Sequence, residues 1–162
     1  MSDAIDSIEF HRKKRNLNPI FYNIETKITP EGDHILHPEP KEFCDLILEV
    51  LETKKITEQC IIQSFDFRTL QYLHKIGFKG KLALLTEDST KTWKQHVDIL
   101  GFKPHIYSPY FKLLNEEIIK SIQSEGILVI PWTVNTQPEI KILKSWNVNG
   151  LITDYPNLIE AN

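Results

Sequence analysis

Apolar and polar positions alternate with two different periods along the chain. Short apolar runs, typical of buried strands, are separated by segments in which apolar residues recur every three or four positions, as on one face of a helix. The apolar runs predict strands over residues 20–27, 60–66, 81–87, 127–135 and 150–156, with a shorter extended stretch over 105–111. The helical period predicts helices over residues 2–15, 41–53, 67–76, 90–100, 115–124 and 138–146. Ser2 and Asn115 are the expected N-caps of two of these helices.

Strands that alternate with helices indicate βαβ units and a parallel sheet. The runs LALL and ILVI are apolar at every position, which suits a sheet covered on both faces or a closed barrel. No glycine-rich phosphate-binding motif follows a strand, which counts against a nucleotide-binding sheet. Polar residues instead gather where the strands end, as they do around the active site of a (β/α)8 barrel. We therefore expect an α/β fold of the TIM-type (β/α)8 barrel.

The number of strands is too small for a complete barrel. Eight strands typically occupy roughly 250 residues, whereas this chain has 162 residues and five clear strand patterns. We therefore expect residues 1–162 to form a single partial domain, an incomplete barrel of about five to six βα units. The first two or three strands of the complete barrel would be the ones that are lacking.

One predicted strand carries a polar face. Because successive side chains of a strand point to opposite faces, Asn23, Glu25 and Lys27 share one face of the stretch YNIETK. A carboxylate and an amine at the end of such a face form either an exposed ion pair or part of a site. Alternation leaves both interpretations open.

Composition narrows the classes of partner. The net charge is −3 and the sequence pI is about 6.1, so we expect no nucleic-acid partner, which would require a basic patch. No apolar run approaches the ~20 residues of a membrane span.

Cys44 and Cys60 have no metal-site spacing, and we expect buried free thiols. As the sequence reads, without a signal peptide, it is cytoplasmic; an upstream signal segment would make the protein exported and periplasmic.

Five motifs together resemble the C-terminal part of a glycerophosphodiester phosphodiesterase. They are NIETK (23–27), QSFD (63–66), LALLTE (82–87), PWTVN (131–135) and GLITDYP (150–156), in the family's order and at its spacing. The resemblance runs from about Pro19 to the end and implies a TIM-type barrel. It also implies metal-dependent hydrolysis of lipid-derived glycerophosphodiesters to glycerol 3-phosphate and an alcohol.

The resemblance assigns roles to four residues. Glu25 matches a metal-binding carboxylate, for which Mg²⁺ or Ca²⁺ is the expected ion. Lys27 matches the lysine that contacts the phosphate. Phe65 and Trp132 match the wall of the substrate pocket. Spacing alone favours core packing for Trp132, and a residue that fills the barrel is the alternative for Phe65.

The family's His-Arg-Gly, Glu-x-Asp and His-Asp motifs are absent from the sequence. They supply the family's catalytic histidines and its other metal carboxylates, so we expect no catalytic residue here, weak metal binding at most, and little or no activity from the chain alone. Three explanations are open for the unpaired edges of such a barrel: pairing with a second copy, pairing with a companion N-terminal segment, or a partial gene product.

Two alternatives remain open from the sequence. The first is a non-catalytic binding or scaffold relative built on the barrel segment. The second is a different barrel enzyme in which Lys27 forms a Schiff base. The neighbouring Glu25 counts against the second alternative, because a carboxylate stabilises the ammonium form of an adjacent amine.

Overall fold

The computed structural model describes residues 1–159. Its helices are α1 (Ser2–Lys14), α2 (Pro40–Lys54), α3 (Phe67–Lys75), α4 (Trp93–Leu100), α5 (Glu116–Ser124) and α6 (Gln137–Ser145). Its strands are β1 (Tyr22–Thr26), β2 (Cys60–Ser64), β3 (Lys81–Thr86), β4 (Ile106–Pro109) and β5 (Leu128–Val129). The strictly alternating order confirms the α/β class and the βαβ organisation that the sequence predicts.

The five strands form one parallel sheet in the order β1-β2-β3-β4-β5. Each strand therefore lies beside its neighbour in sequence, as the strands of a (β/α)8 barrel do, and no strand is inserted between two earlier ones as in a doubly wound sheet. Among the described residues the strand order runs from β1 to β5 without a β1–β5 pairing. The architecture is that of an incomplete barrel.

The main core lies between the sheet and its helices. Ile62 and Leu84 on neighbouring strands are fully buried, and they belong to the same cluster as Leu70 of α3 and Ile119 of α5. Cys44 and Cys60 are free and buried in this region, as expected, and burial raises the pKa of Cys44 to about 12. This packing fixes the outer face of every strand and leaves the opposite face for the interior of the barrel.

Short polar side chains start the helices that follow the strands. Asp66 accepts a hydrogen bond from the Arg68 amide at the start of α3, and Asn115 does the same for Ile118 in α5. Thr92 and Gln95 form a reciprocal capping box at α4. The prediction for Asn115 is confirmed. The prediction for Ser2 is wrong, because Met1 is the N-cap of α1 and Ser2 lies inside the helix.

The last two predicted strands are shorter than their apolar patterns suggest. Within the run 127–135, only Leu128–Val129 forms regular β-sheet hydrogen bonds, because Pro131 has no amide hydrogen to donate. The segment 150–156 forms no regular strand, but it lies beside that run. The amide of Ile152 donates to the Pro131 carbonyl at 2.9 Å, and the amide of Val134 donates to the Ile152 carbonyl at 2.9 Å. Hydrophobicity located both segments correctly, whereas their backbone pairing is irregular.

Candidate active site

Strand register brings the predicted polar face to the carboxyl end of β1. Glu25 lies opposite Gln63 of β2, and the side-chain Nδ2 of Asn23 donates to Gln63 Oε1 at 2.9 Å. Tyr22 and Thr26, on the alternate positions, are buried. The alternation predicted from YNIETK is therefore confirmed, and the Asn23–Gln63 bond joins the polar faces of neighbouring strands.

Glu25 and Lys27 form an ion pair. The Lys27 Nζ donates to Glu25 Oε1 at 3.0 Å, and the lysine side chain is 81% exposed whereas that of Glu25 is 26% exposed. The carboxylate is thus held on a fixed strand while its partner extends into solvent. An exposed ammonium on a short tether can move to an incoming anion at small cost, because exposed ion pairs contribute little free energy.

Phe65 and Trp132 come together at the carboxyl ends of β2 and of the run that continues β5. Their rings meet edge to face with centroids 5.3 Å apart, and the Trp132 ring also lies 5.7 Å from that of Tyr110. The indole Nε1 of Trp132 donates to the Ser108 carbonyl at 2.8 Å, which fixes the ring plane. Phe65 is 42% exposed. The cluster is therefore ordered and partly open to solvent.

The structure forms two separate groups from the four predicted residues. Glu25 contacts Lys27, and Phe65 contacts Trp132. Within residues 1–159 no hydrogen bond, ion pair or ring contact joins one group to the other. Both groups lie at the carboxyl ends of their strands, which is the end where barrel active sites are built.

The donor set is too small for a metal centre. Among residues 1–159 no group of three or more His, Cys, Asp or Glu side chains is placed to hold an ion. Mg²⁺ and Ca²⁺ take six or more oxygen ligands, usually with several carboxylates. Glu25 is one carboxylate, and its Oε1 already accepts from Lys27. The described residues therefore do not fit a divalent metal on their own.

The loop after β1 is fixed by an ion-pair network that the sequence pattern did not indicate. Arg68 Nη2 donates to Asp66 at 2.6 Å and to Asp33 at 3.2 Å, which links this loop to the start of α3. The hydrogen bond from Arg68 lowers the pKa of Asp33 below its ordinary value. Asp33 is far from Asp66 and Arg68 in the sequence. An aspartate two residues before an arginine is too common a pattern to indicate such a network.

The two loop histidines have structural partners. His34 Nε2 lies 2.9 Å from Glu39, and His37 Nε2 accepts from the Thr29 amide at 3.1 Å. Neither contacts Glu25 among the described hydrogen bonds and ion pairs. Both histidines thus bond to residues of their own loop or of its junction with α2.

Asn135 and Asp154 also serve the scaffold. The side-chain Nδ2 of Asn135 donates to the Asp154 carboxylate at 2.7 Å, and the Asp154 backbone amide donates back to the Asn135 side-chain oxygen at 2.9 Å. This pair joins the last two strand-like segments. No helix within residues 1–159 is both long enough and apolar enough to cross a membrane.

The family profile and the related sequences that match this chain belong to one family. The sequence profile described as the Glycerophosphoryl diester phosphodiesterase family matches residues 13–158. A glycerophosphodiester phosphodiesterase of Bacillus subtilis is 31% identical over 102 residues, which are 62% of this chain and 35% of that protein. One from Caldanaerobacter subterraneus subsp. tengcongensis is 24% identical over 138 residues, 85% of this chain and 53% of that protein. The chain thus spans about half the length, or less, of these relatives.

Solved structures share the fold. A glycerophosphodiester phosphodiesterase from Parabacteroides distasonis aligns with a TM-score of 0.69 and 17% identity, over 91% of this chain and 58% of that one. An Oleispira antarctica phosphodiesterase in complex with the product sn-glycerol-3-phosphate aligns with a TM-score of 0.68 and 16% identity, over 85% of this chain and 52% of that one. At these identities the likeness extends to the fold, and the expected incomplete TIM-type barrel is consistent with it.

Proposed function

Because the chain belongs to the Glycerophosphoryl diester phosphodiesterase family, we propose that it carries the phosphate-binding and glycerol-binding part of a site that hydrolyses glycerophosphodiesters. The products would be glycerol 3-phosphate and an alcohol. The Glu25–Lys27 pair at the carboxyl end of β1 is the observation that carries the proposal. The product bound to the Oleispira relative supports the choice of ligand.

Lys27 is the residue that we assign to the phosphate. Its ammonium group is exposed and held by one carboxylate, so it can exchange Glu25 for a phosphate oxygen. An ammonium is a compact point charge with three donors, which suits the anionic oxygens of a phosphodiester. Glu25 holds the lysine at the carboxyl end of β1 until the ligand arrives.

Phe65 and Trp132 are the residues that we assign to the glycerol. The Trp132 Nε1 is already bonded to Ser108, so the indole offers a ring face rather than a donor. Such a face packs against the carbon-bound hydrogens of glycerol, while the phosphate stays in the polar region beside β1. The edge-to-face contact with Phe65 restricts how far either ring can turn.

A divalent ion enters this proposal only as a ligand of Glu25. Enzymes of the family generally depend on such an ion, and Mg²⁺ or Ca²⁺ would supply charge neutralisation at the phosphate. The described residues provide one carboxylate, so we assign no step to the metal. We also propose no acid or base within residues 1–159, and accordingly little or no turnover by the chain alone.

Ligand binding tests the assignment directly. Titration of glycerol 3-phosphate into the chain, followed by amide chemical shifts, should move the β1 and Trp132 signals. Lys27→Met should weaken binding at least tenfold, because the cation that we assign to the phosphate is lost. Lys79→Met is the matched control, since Lys79 is also exposed but lies before the amino end of β3. Equal affinity in both variants would refute the role of Lys27.

Turnover is measured on the same samples with glycerophosphocholine and either Mg²⁺ or Ca²⁺. We expect no release of glycerol 3-phosphate above the rate without protein. Metal-dependent release that Glu25→Gln abolishes would refute the proposed inactivity and would place a complete site within this chain.

A non-catalytic binding or scaffold role is the second candidate. The small donor set around Glu25 favours it. It predicts specific self-association, or association with a companion segment through the β1 edge, because an unpaired strand edge is a template for a further strand. Sedimentation analysis of the chain over a hundredfold concentration range would test this: a monomer at every concentration contradicts self-association.

A further inference from the structure

The amino end of the sheet carries a group of exposed basic side chains. In parallel βαβ units each helix returns the chain to the amino end of the next strand, so the helices end there. The end of α1 and the connection from α3 to β3 contribute six exposed cations, Lys13, Lys14, Arg15, Lys75, Lys79 and Lys81. We name these six residues, together with the exposed apolar residues among them, the amino-end patch; the apolar members are Leu17, Phe21 and Ile76.

The cations of the amino-end patch are not neutralised by acidic neighbours. Residues 10–21 and 67–86, which hold the patch, contain no aspartate or glutamate. Within residues 1–159 none of the six cations forms a salt bridge. At the carboxyl end, by contrast, Lys27, Lys41 and Lys91 are each paired with a carboxylate. The overall charge of −3 therefore conceals one end of the sheet where positive charge is unpaired.

The two halves of the patch lie on the same end of the molecule and close together. Strand β2 pairs with β1 on one side and with β3 on the other. The starts of β1 and β3 are therefore about 10 Å apart, two strand spacings. The connection between α2 and β2 lies between them and adds no net charge, because its two lysines balance its two glutamates, Lys54, Lys55, Glu52 and Glu58.

Helix ends alone do not account for this distribution. A helix C-terminus favours cations, but the effect is confined to the last turn. Lys79 lies between α3 and β3, and Lys81 lies in β3 itself. Neither lysine can therefore be assigned to the end of α3.

Three apolar side chains are exposed among the cations. Phe21 is 72% exposed just before β1, Leu17 is 55% exposed in the α1–β1 connection, and Ile76 is 45% exposed at the end of α3. Basic side chains around exposed apolar side chains are typical of protein surfaces that rest on anionic lipid head groups.

We propose that the amino-end patch binds the surface of a bilayer that contains anionic phospholipids. The cations would lie at the level of the head-group phosphates, and the three apolar side chains would reach the boundary with the acyl chains. A nucleic acid would match the cations alone, since Leu17 and Ile76 offer no ring on which a base could stack. A companion segment that extends the sheet would pair with β1, and Lys79 and Ile76 lie two strands away from that edge.

The proposal also orients the candidate site. Glu25, Lys27, Phe65 and Trp132 lie at the carboxyl ends of the strands, which is the opposite end of the sheet from the patch. A chain seated on a bilayer by its amino end would therefore keep the candidate site open to water. Bilayer binding itself does not depend on the proposed function.

Sedimentation with lipid vesicles tests the proposal. We expect the chain to bind vesicles of equal parts phosphatidylglycerol and phosphatidylcholine, and not vesicles of phosphatidylcholine alone. Binding should weaken as salt is added, because salt screens exposed charges. Equal binding to both kinds of vesicle, or to neither, would overturn the proposal.

A pair of triple variants locates the binding surface. Replacement of Lys75, Lys79 and Lys81 by glutamine should weaken binding to the anionic vesicles at least tenfold, since each basic residue near such a surface contributes roughly fivefold. The matched control changes the net charge equally at the carboxyl end, through glutamine at the exposed lysines 41, 94 and 112. The control should bind as the unaltered chain does. An equal loss in both triple variants would overturn the assignment to the amino end.

An apolar substitution separates a bilayer from a nucleic acid. Ile76→Ser should weaken vesicle binding several-fold, whereas Ile35→Ser, in the exposed loop after β1, should not. Tighter binding to a polyuridine RNA than to the anionic vesicles would overturn the proposal in favour of a nucleic acid. Lys27→Met should bind vesicles normally, so failure of the phosphate assignment and failure of the bilayer site give different results.

Discussion

Two polar pairs of almost equal length differ in burial. Glu25 of β1 and Lys27, just after the strand, are 3.0 Å apart, and the lysine side chain is 81% exposed. His96 and Tyr107 are 2.8 Å apart between α4 and β4, and both are buried. A short distance between two polar atoms therefore does not by itself show whether the pair is available to a ligand. The first pair is available to a ligand, whereas the second is part of the packed interior.

The two pairs differ in how well water can replace each partner when the pair is broken. Breaking the exposed pair returns two charged groups to solvent, which hydrates them well. Breaking the buried pair leaves a donor or acceptor in the interior without a partner, and desolvation is then not repaid. The response of each pair to substitution distinguishes the two cases.

The largest expected effect is at Tyr107. Tyr107→Phe removes the hydroxyl that pairs with His96 Nδ1 and leaves that nitrogen buried and unpaired. We expect the free energy of unfolding in urea to fall by about 1–3 kcal/mol. Tyr155→Phe is the control, because Tyr155 is 52% exposed. A loss at Tyr107 no larger than at Tyr155 would mean that the buried pair contributes nothing special.

The next effect is a dependence on pH. Burial lowers the pKa of His96 in the folded protein, whereas the unfolded chain takes up a proton near the ordinary value of about 6.5. The unfolded state then binds more protons, so the free energy of unfolding should fall as the pH drops below about 6.5. One histidine limits the slope to about 1.4 kcal/mol per pH unit.

His96→Gln should reduce this slope in denaturant titrations between pH 7 and pH 5.5. His105, whose pKa burial also lowers, is present in both proteins, so the difference between them belongs to His96. Identical slopes would show that the ring of His96 gains a proton as readily in the folded protein as in the unfolded chain.

The smallest effect is expected at Lys27. Lys27→Met breaks an ion pair whose lysine is largely in solvent, and we expect the free energy of unfolding to change by less than about 0.5 kcal/mol. The same variant is expected to lose phosphate binding. A destabilisation as large as that of Tyr107→Phe would contradict the comparison, because Lys27 would then be a structural residue.

Much of the fold follows from local signals. The apolar runs around Ile62 and Leu84 predict buried strands, and the Asn115 cap predicts the start of α5; the structure has all three. The local signal fails where backbone pairing depends on neighbours, as at residues 150–156. Their apolar character is correct, but irregular pairing with the Pro131 region decides their conformation.

The candidate site divides in the same way. Alternation alone places Glu25 and Lys27 on one face, since two residues on a strand share a face wherever the strand lies. The contact between Phe65 and Trp132 requires the order of the strands and the end at which each one stops. No sequence signal indicated that Asp88, His96 and Tyr107 would meet.

The sequence by itself determined the alternation of strands and helices, the polar face of β1 and the motifs of the family, because these are properties of residues close together in the chain. Only the tertiary structure decided which polar groups are buried. Burial depends on what packs over a side chain from distant segments, as β4 and the loop after β3 do over His96. That packing separates an exposed pair able to meet a ligand from a buried group that still lacks a partner.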